Sequence, residues 1–534
     1  MFIHVPIVLA ATSSMPYRYH VSPCAANSFR VRVELMSPPP AVAATQKALA
    51  RALKEEGLSE LPGAFVCAAG AGTEQLTSSS PRATSGNLLA QLTSDGNLRF
   101  SRVDLGTQYF TATASLEENL ASSPPLAGYL KAKFTTTPGD CTERLYGLGQ
   151  GEWTKKGGGC PEGPQEVVPQ ARNGQRIQLL QTKFHVTIPT AFSSAGYGLL
   201  FHMPGYGNVS LGAHGIGGTT WEAAAALWID FWVSGLPAGA GVSMEPLHEQ
   251  YADATGHAPP LREDAMIFWQ SRNRYKSTDI ALGIADKYAA LKLPVGVLVI
   301  DYKNMVHDGD FVPDKTCYPS VSSLSAGIRS KLNATTVFSF WPEVLNDARA
   351  FAVLNSSGCL INGQLGGHAI SADRVFCRDL IWQKFLLPHY YDQGVTAYWL
   401  DETDGEGTLH GYDPNSGGYH TQWGPRAFAS NLWVNDYVRT FTEPIRAIGD
   451  HAPLVLVRGI WAGGQKHGAV LWSSDIQSNF ETLAAMVPQG VHASMSGIPY
   501  AARHMLPAKI FALAPDALSH TRPLDEPCCP CAAK

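Results

Sequence analysis

The sequence predicts an α/β architecture joined to an all-β one: an N-terminal β-sandwich followed by a (β/α)8 TIM-type barrel that is incomplete at its last strand. Three observations carry this expectation. At 534 residues the chain is too long for one ordinary core. Its texture changes at Pro259-Pro260, from short alternating runs punctuated by Gly, Pro and Ser to apolar runs separated by amphipathic segments. Two of the later runs, Tyr398-Trp399-Leu400-Asp401 and Val470-Leu471-Trp472-Ser473-Ser474-Asp475, end abruptly in a carboxylate. Charge at the end of a buried strand is costly inside a core but tolerable at the mouth of a parallel barrel.

In chain order, residues 1–27 read as a leader or a disordered arm, because the apolar run Phe2 to Ala11 lacks a positively charged start. Residues 28–258 read as the sandwich. Phe29-Arg30-Val31-Arg32-Val33-Glu34-Leu35 alternates like a strand with one solvated face, and Phe184 to Pro189 and Gly196 to Phe201 form a candidate antiparallel pair. An insertion near 38–86 has little β character, and its middle, Thr45 to Glu56, is rich in helix formers. Residues 259–505 read as the barrel, with strands at Met266–Ser271, Val295–Tyr302, Thr335–Trp341, Val395–Asp401, Pro453–Arg458, Val470–Asp475 and Val491–Ser496. Helices are expected at Thr278–Leu291, capped by Ser277, and at Arg378–Gln393, bent by Pro388. Residues 506–534 read as a divergent, disordered tail.

With 45% hydrophobic and 16% charged residues, the chain has the composition of well-buried cores. A net charge of -5 and the absence of any long Lys/Arg run give no reason to expect nucleic acid as a partner. No apolar run reaches the roughly 20 residues of a membrane helix. The ten cysteines show no disulfide framework and no zinc spacing before Cys528-Cys529-Pro530-Cys531, which lacks a second cluster, so no metal is expected. Sequons at Asn208, Asn333 and Asn355, with the weak leader, lean towards the secretory pathway, a vacuole or the cell exterior.

Two strand-terminal carboxylates suit glycosidic bond cleavage, which needs an ionised nucleophile or base and a protonated group to assist the leaving oxygen. Asp401 fits the first role, or else caps the next helix. Asp475 fits the second if the ionised Asp401 nearby raises its pKa, or else is structural. Asp301 ends the apolar run Val297 to Ile300, and Arg458 closes the next strand after Asp401. Trp341, Trp399 and Trp472 lie near strand ends, where an aromatic face can stack on a sugar or simply fill the core. His307 and Asp308 follow the second strand and are candidates for outer subsites.

The entrance segments Thr255-Gly256, Phe268 to Tyr275 and Leu293 to Asp301 resemble glycoside hydrolase family 31. So do Glu143 to Gly149 and Gly196 to Leu199 upstream, and Arg458-Gly459, Ala462 to Gln465, Trp472 to Asp475 and Gly497 to Tyr500 downstream. The resemblance runs from about Ser28 to Tyr500. It implies a galactose-mutarotase-like sandwich and a catalytic barrel performing retaining, exo-acting hydrolysis of α-linked glucose or a related sugar, with an oligosaccharide or α-glycoside as substrate. It implies no cofactor and no membrane span, and leaves room for a homo-oligomer. By the same resemblance Asp401 is the nucleophile, Asp475 the general acid/base, and Asp404 the second acid of the segment. Asp301 then binds sugar hydroxyls, and Arg458 orients a substrate hydroxyl or the nucleophile, or else forms a salt bridge that holds the barrel rim. Trp341, Trp399 and Trp472 are counted with them as substrate-binding from their places near strand ends.

After Tyr500 the pattern departs. Ala501-Ala502-Arg503-His504-Met505 follows where the family has an aspartate, a Gly-Gly-Phe and a last strand with a sugar-binding histidine. Truncation of a longer enzyme, a catalytically impaired carbohydrate-binding relative, and an α-transglycosidase are therefore alternatives to a hydrolase.

Overall fold

The computed structural model describes residues 16–67, 72–119, 126–138, 142–151, 171–182, 185–212, 218–362, 367–404, 420–476 and 480–502. Two antiparallel sheets form the N-terminal sandwich. In one, Tyr17–Pro23, Ser28–Leu35, Ile229–Gly235 and Tyr197–Phe201 lie side by side; the other runs from Arg176–Gln178 to Arg82–Ser85. Aromatic side chains close the space between the sheets: Phe231 is 4.4 Å from Phe134, and Phe110 is 4.8 Å from Tyr197, centroid to centroid.

The first strand starts at Tyr17, inside the stretch read as a leader, because Tyr19 and Val21 supply a buried face that pairs with Val33 and Val31. The insertion also contributes more than expected. It holds helix α1 (Pro40–Glu55), and its strands Glu74–Leu76 and Arg82–Ser85 join one sheet each. The polar face of Ser28–Leu35 is solvated only in part. Arg30 is 7% exposed and grips Asp230 with two hydrogen bonds of 3.0 and 2.7 Å, and Arg32 adds a third at 3.1 Å. Glu60 and the ring of Phe65 cover Arg30 from the segment that the Cys24–Cys67 disulfide ties down. Alternation thus reported two faces correctly but not that an ion pair buries part of the second. Residues 185–189 make only isolated bridges, and the hairpin partner of Tyr197–Phe201 is Thr190–Ser193, since Pro189 has no N–H to donate. Phe184 and the tail cysteines lie outside the described residues.

Among the described residues, seven parallel strands follow in sequence order, curled as in a TIM-type barrel: β1 (Trp269–Gln270), β2 (Val297–Ile300), β3 (Thr335–Phe340), β4 (Ala397–Leu400), β5 (Leu454–Val457), β6 (Ala469–Trp472) and β7 (Ala501–Ala502). Helix α2 (Thr278–Ala290) starts where Ser277 accepts from the Ile280 N–H. Around Pro388 the expected helix breaks up, passing through a π turn at Trp382–Leu386. Helix α3 (Arg426–Ala447) is buried along most of its length and packs on β5 from one side and on the sandwich strand Thr219–Ala226 from the other.

One strand assignment is overturned. Val491 to Met495 is the end of helix α4 (Phe480–Met495), and the seventh strand is Ala501–Ala502. The run Val491-His492-Ala493 is as apolar as a strand, but it continues the helical spacing of Leu483, Met486 and Val487. Two glycines of the Glu143–Gly149 segment dock on this helix: Gly147 N–H donates to His492 Nδ1 at 3.1 Å and Gly149 N–H to Ser496 Oγ at 2.7 Å.

Candidate active site

Side chains alternate along each barrel strand. Val297, Val299, Val337, Ala397, Trp399, Leu454, Leu456, Val470 and Trp472 form one cluster inside the barrel, while Leu298, Ile300, Phe338, Phe340, Tyr398, Leu400, Val455 and Val457 pack under the helices. Continuing the period of two past the strand ends aims Asp301, Trp341, Asp401 and Arg458 at the mouth. Asp475 is out of phase with Val470 and Trp472. The chain turns at Ser474, whose φ is +63°, and Asp475 emerges exposed.

Asp401 is 8% exposed and held on both oxygens. Trp341 Nε1 donates to Oδ2 at 3.2 Å, the Glu402 N–H donates to Oδ1 at 2.8 Å, and Arg458 Nη1 lies 3.3 Å from Oδ1. Arg458, 2% exposed, commits Nε and Nη2 to Asp404 at 3.1 and 2.8 Å, and Nη2 also lies 3.5 Å from Glu402 Oε1. One guanidinium therefore serves three carboxylates. Asp301 accepts from the Tyr302 N–H at 2.7 Å.

Burial dominates the electrostatics. It pushes the Asp301 carboxyl up to about 7, with the negative charges of Asp401 and Asp475 adding to the rise. Asp401 is raised to about 6 by burial, which Arg458 and the Glu402 N–H oppose and Asp404 and Asp475 reinforce. Burial works against the Arg458 charge, yet Asp404 and Asp401 more than compensate and hold it firmly protonated. The mutual repulsion places Asp301, Asp401 and Asp475 in one electrostatic neighbourhood. Of the two, Asp301 is raised further and keeps its proton to the higher pH, and in that form it can donate a hydrogen bond as well as accept one.

The tryptophans divide. Trp399 and Trp472 meet edge to face at 5.0 Å inside the barrel cluster, 6% and 3% exposed, and pack against its apolar strand residues. Trp341 stacks one face on Tyr302 at 5.6 Å and an interplanar angle of 7°. Asp404 has a fully buried side chain paired with Arg458. His307 lies 3.3 Å from Asp347, and burial raises Asp308. Sequence reasoning passed over Glu402 and Tyr302. Each directly follows a strand-terminal aspartate, and that adjacency was the available signal.

Residues 258–504 match the TIM-barrel domain of glycosyl hydrolases family 31. An α-xylosidase of Saccharolobus solfataricus is 31% identical over 373 residues, which are 67% of this chain and 47% of that protein. α-Xylosidase A of Aspergillus niger is 24% identical over 394 residues, 68% of this chain and 50% of its own. The chain thus spans about half the length of these two relatives. It spans 68% of an uncharacterized family 31 glucosidase of Pseudescherichia vulneris, 27% identical over 391 residues. Among solved structures, a family 31 α-xylosidase from a soil metagenome, complexed with xylose, superimposes with a TM-score of 0.74 at 24% identity, over 92% of this chain and 70% of that one. That likeness supports the fold.

Proposed function

Because the chain belongs to glycoside hydrolase family 31, we propose that it hydrolyses terminal α-linked sugars by retaining double displacement. Asp401 attacks the anomeric carbon. Asp475 protonates the leaving oxygen and then takes a proton from the incoming water. Asp301 binds sugar hydroxyls, and Arg458 fixes Asp401. The observation that carries this reading is the grip on Asp401: three donors converge on a buried carboxylate at the barrel mouth, with two further carboxylates close enough to act on its charge. Exposure of Asp475 suits a group that must exchange protons with water. The α-xylosidases among the relatives make an α-xyloside the first substrate to try, ahead of an α-glucoside.

A second reading, a carbohydrate-binding relative with impaired catalysis, is favoured by one feature. Among the described residues β1 and β7 stand at opposite edges of the sheet and do not pair.

One experiment separates them. Release of p-nitrophenol from a panel of aryl α-glycosides should be seen with the native chain and fall by about 10³-fold or more in Asp401→Ala. Proton NMR of the first-formed sugar should show the α anomer. A folded protein that binds sugar yet releases nothing from any member of the panel overturns the hydrolase reading and leaves the second.

A further inference from the structure

We infer that Glu402 is a positioning residue that sets the working pH of Asp401 by competing for Arg458. This rests on the reading of Asp401 as the nucleophile. Glu402 lies in the left-handed region, φ +55°, and that turn lets its own N–H donate back to Asp401 Oδ1 at 2.8 Å while its side chain reaches Arg458 Nη2 at 3.5 Å. A left-handed conformation is uncommon for a residue with a side chain and persists where the surroundings enforce it. The residue is 8% exposed, so its carboxylate acts from inside the wall of the site rather than on substrate.

The competition follows from the guanidinium geometry. Nη2 faces both Asp404 and Glu402, and Nη1 faces Asp401. With Glu402 ionised, its negative charge beside Nη2 offsets part of the Arg458 field that Asp401, 3.3 Å from Nη1, would otherwise feel. Neutralising Glu402 while keeping its shape returns part of that field to Asp401 and favours its ionised form. Among the described residues, other charged or titratable groups facing Asp401 are Asp301 after β2, Asp404 in its own loop, Asp475 after β6 and Tyr437 on α3. Burial also holds Asp401 above the usual carboxylate range, which puts its titration where activity can report it.

The test is Glu402→Gln, read twice: the acid limb of kcat/KM on the aryl α-glycoside that works best, and the carboxyl titration of Asp401 by ¹³C NMR on aspartate-labelled protein, assigned with Asp401→Asn. The expected result is a downward shift of both by about half to one pH unit, with KM little changed. A folded Glu402→Gln whose acid limb and NMR titration both stay in place overturns the inference, since a merely packing role moves neither. Should that variant not fold, Glu402→Met, neutral and of similar length, is held to the same criterion. A native chain silent on every glycoside, with an Asp401 titration that still shifts, supports the positioning role while the hydrolase reading fails.

Discussion

Asp301 and Asp401 are carboxyl groups whose ionisation the fold penalises, and the penalty gives each a stability signature. An aspartate whose folded pKa is raised stabilises the native state fully below its unfolded value near 3.9 and progressively less as pH rises through the folded value. For Asp301 the window is about pH 4 to 7. Asp301→Asn should therefore gain nothing in thermal stability at pH 4 and gain most above pH 7, by at most about 4 kcal/mol, while kcat/KM falls about 10²-fold or more. A Tm difference that is flat with pH would refute the assignment. At this scale the sequence was legible in direction but not in depth. A period of two marks Asp301, Trp341, Asp401 and Arg458 as inward-facing, and equally Trp399 and Trp472. Nothing local says that the last two sit lower and belong to the packed interior. The ion pair of Asp404 with Arg458 was hidden for a different reason, since it joins residues 54 positions apart.

At the scale of elements, strands β2 to β6 were readable because each is an apolar run bounded by turn residues. The region 491–496 was not, because a helix end and a strand of that length look alike until the preceding turns are counted. Helix α3 was not singled out at all. Its burial on two sides takes in polar side chains such as Asn431, Asn435, Asp436 and Thr440, so polarity along the sequence does not mark which faces are buried. Its first turn offers a test of how tightly it is docked. Tyr206 N–H donates to Ala427 O at 3.0 Å, Asn431 Nδ2 donates to Gly205 O at 3.3 Å, and a Cβ on Gly205 would fall 1.9 Å from Ala427 O. Gly205→Ala should lower unfolding free energy by about 2–4 kcal/mol. Gly241→Ala, where a Cβ meets nothing within 4 Å, should leave the denaturation midpoint in place.

For the molecule as a whole, the change of texture at Pro259-Pro260 falls between the sandwich strand Ile229–Gly235 and β1, but nothing in the sequence pointed to the disulfides. Cys24–Cys67 and Cys359–Cys377 close loops of 43 and 18 residues, and cysteines scattered through a long chain give no pairing until the fold brings them together. Replacing both Cys24 and Cys67 by Ser should cost about 2–4 kcal/mol, read as a fall in urea midpoint that reductant no longer deepens to the same extent. The shared position of α3 has a consequence for biosynthesis. The strand Thr219–Ala226 is translated some two hundred residues before the helix that covers it, so a ribosome-bound chain completes its N-terminal domain while that face is still bare. Until Ala447 clears the exit tunnel, that face lacks its native cover.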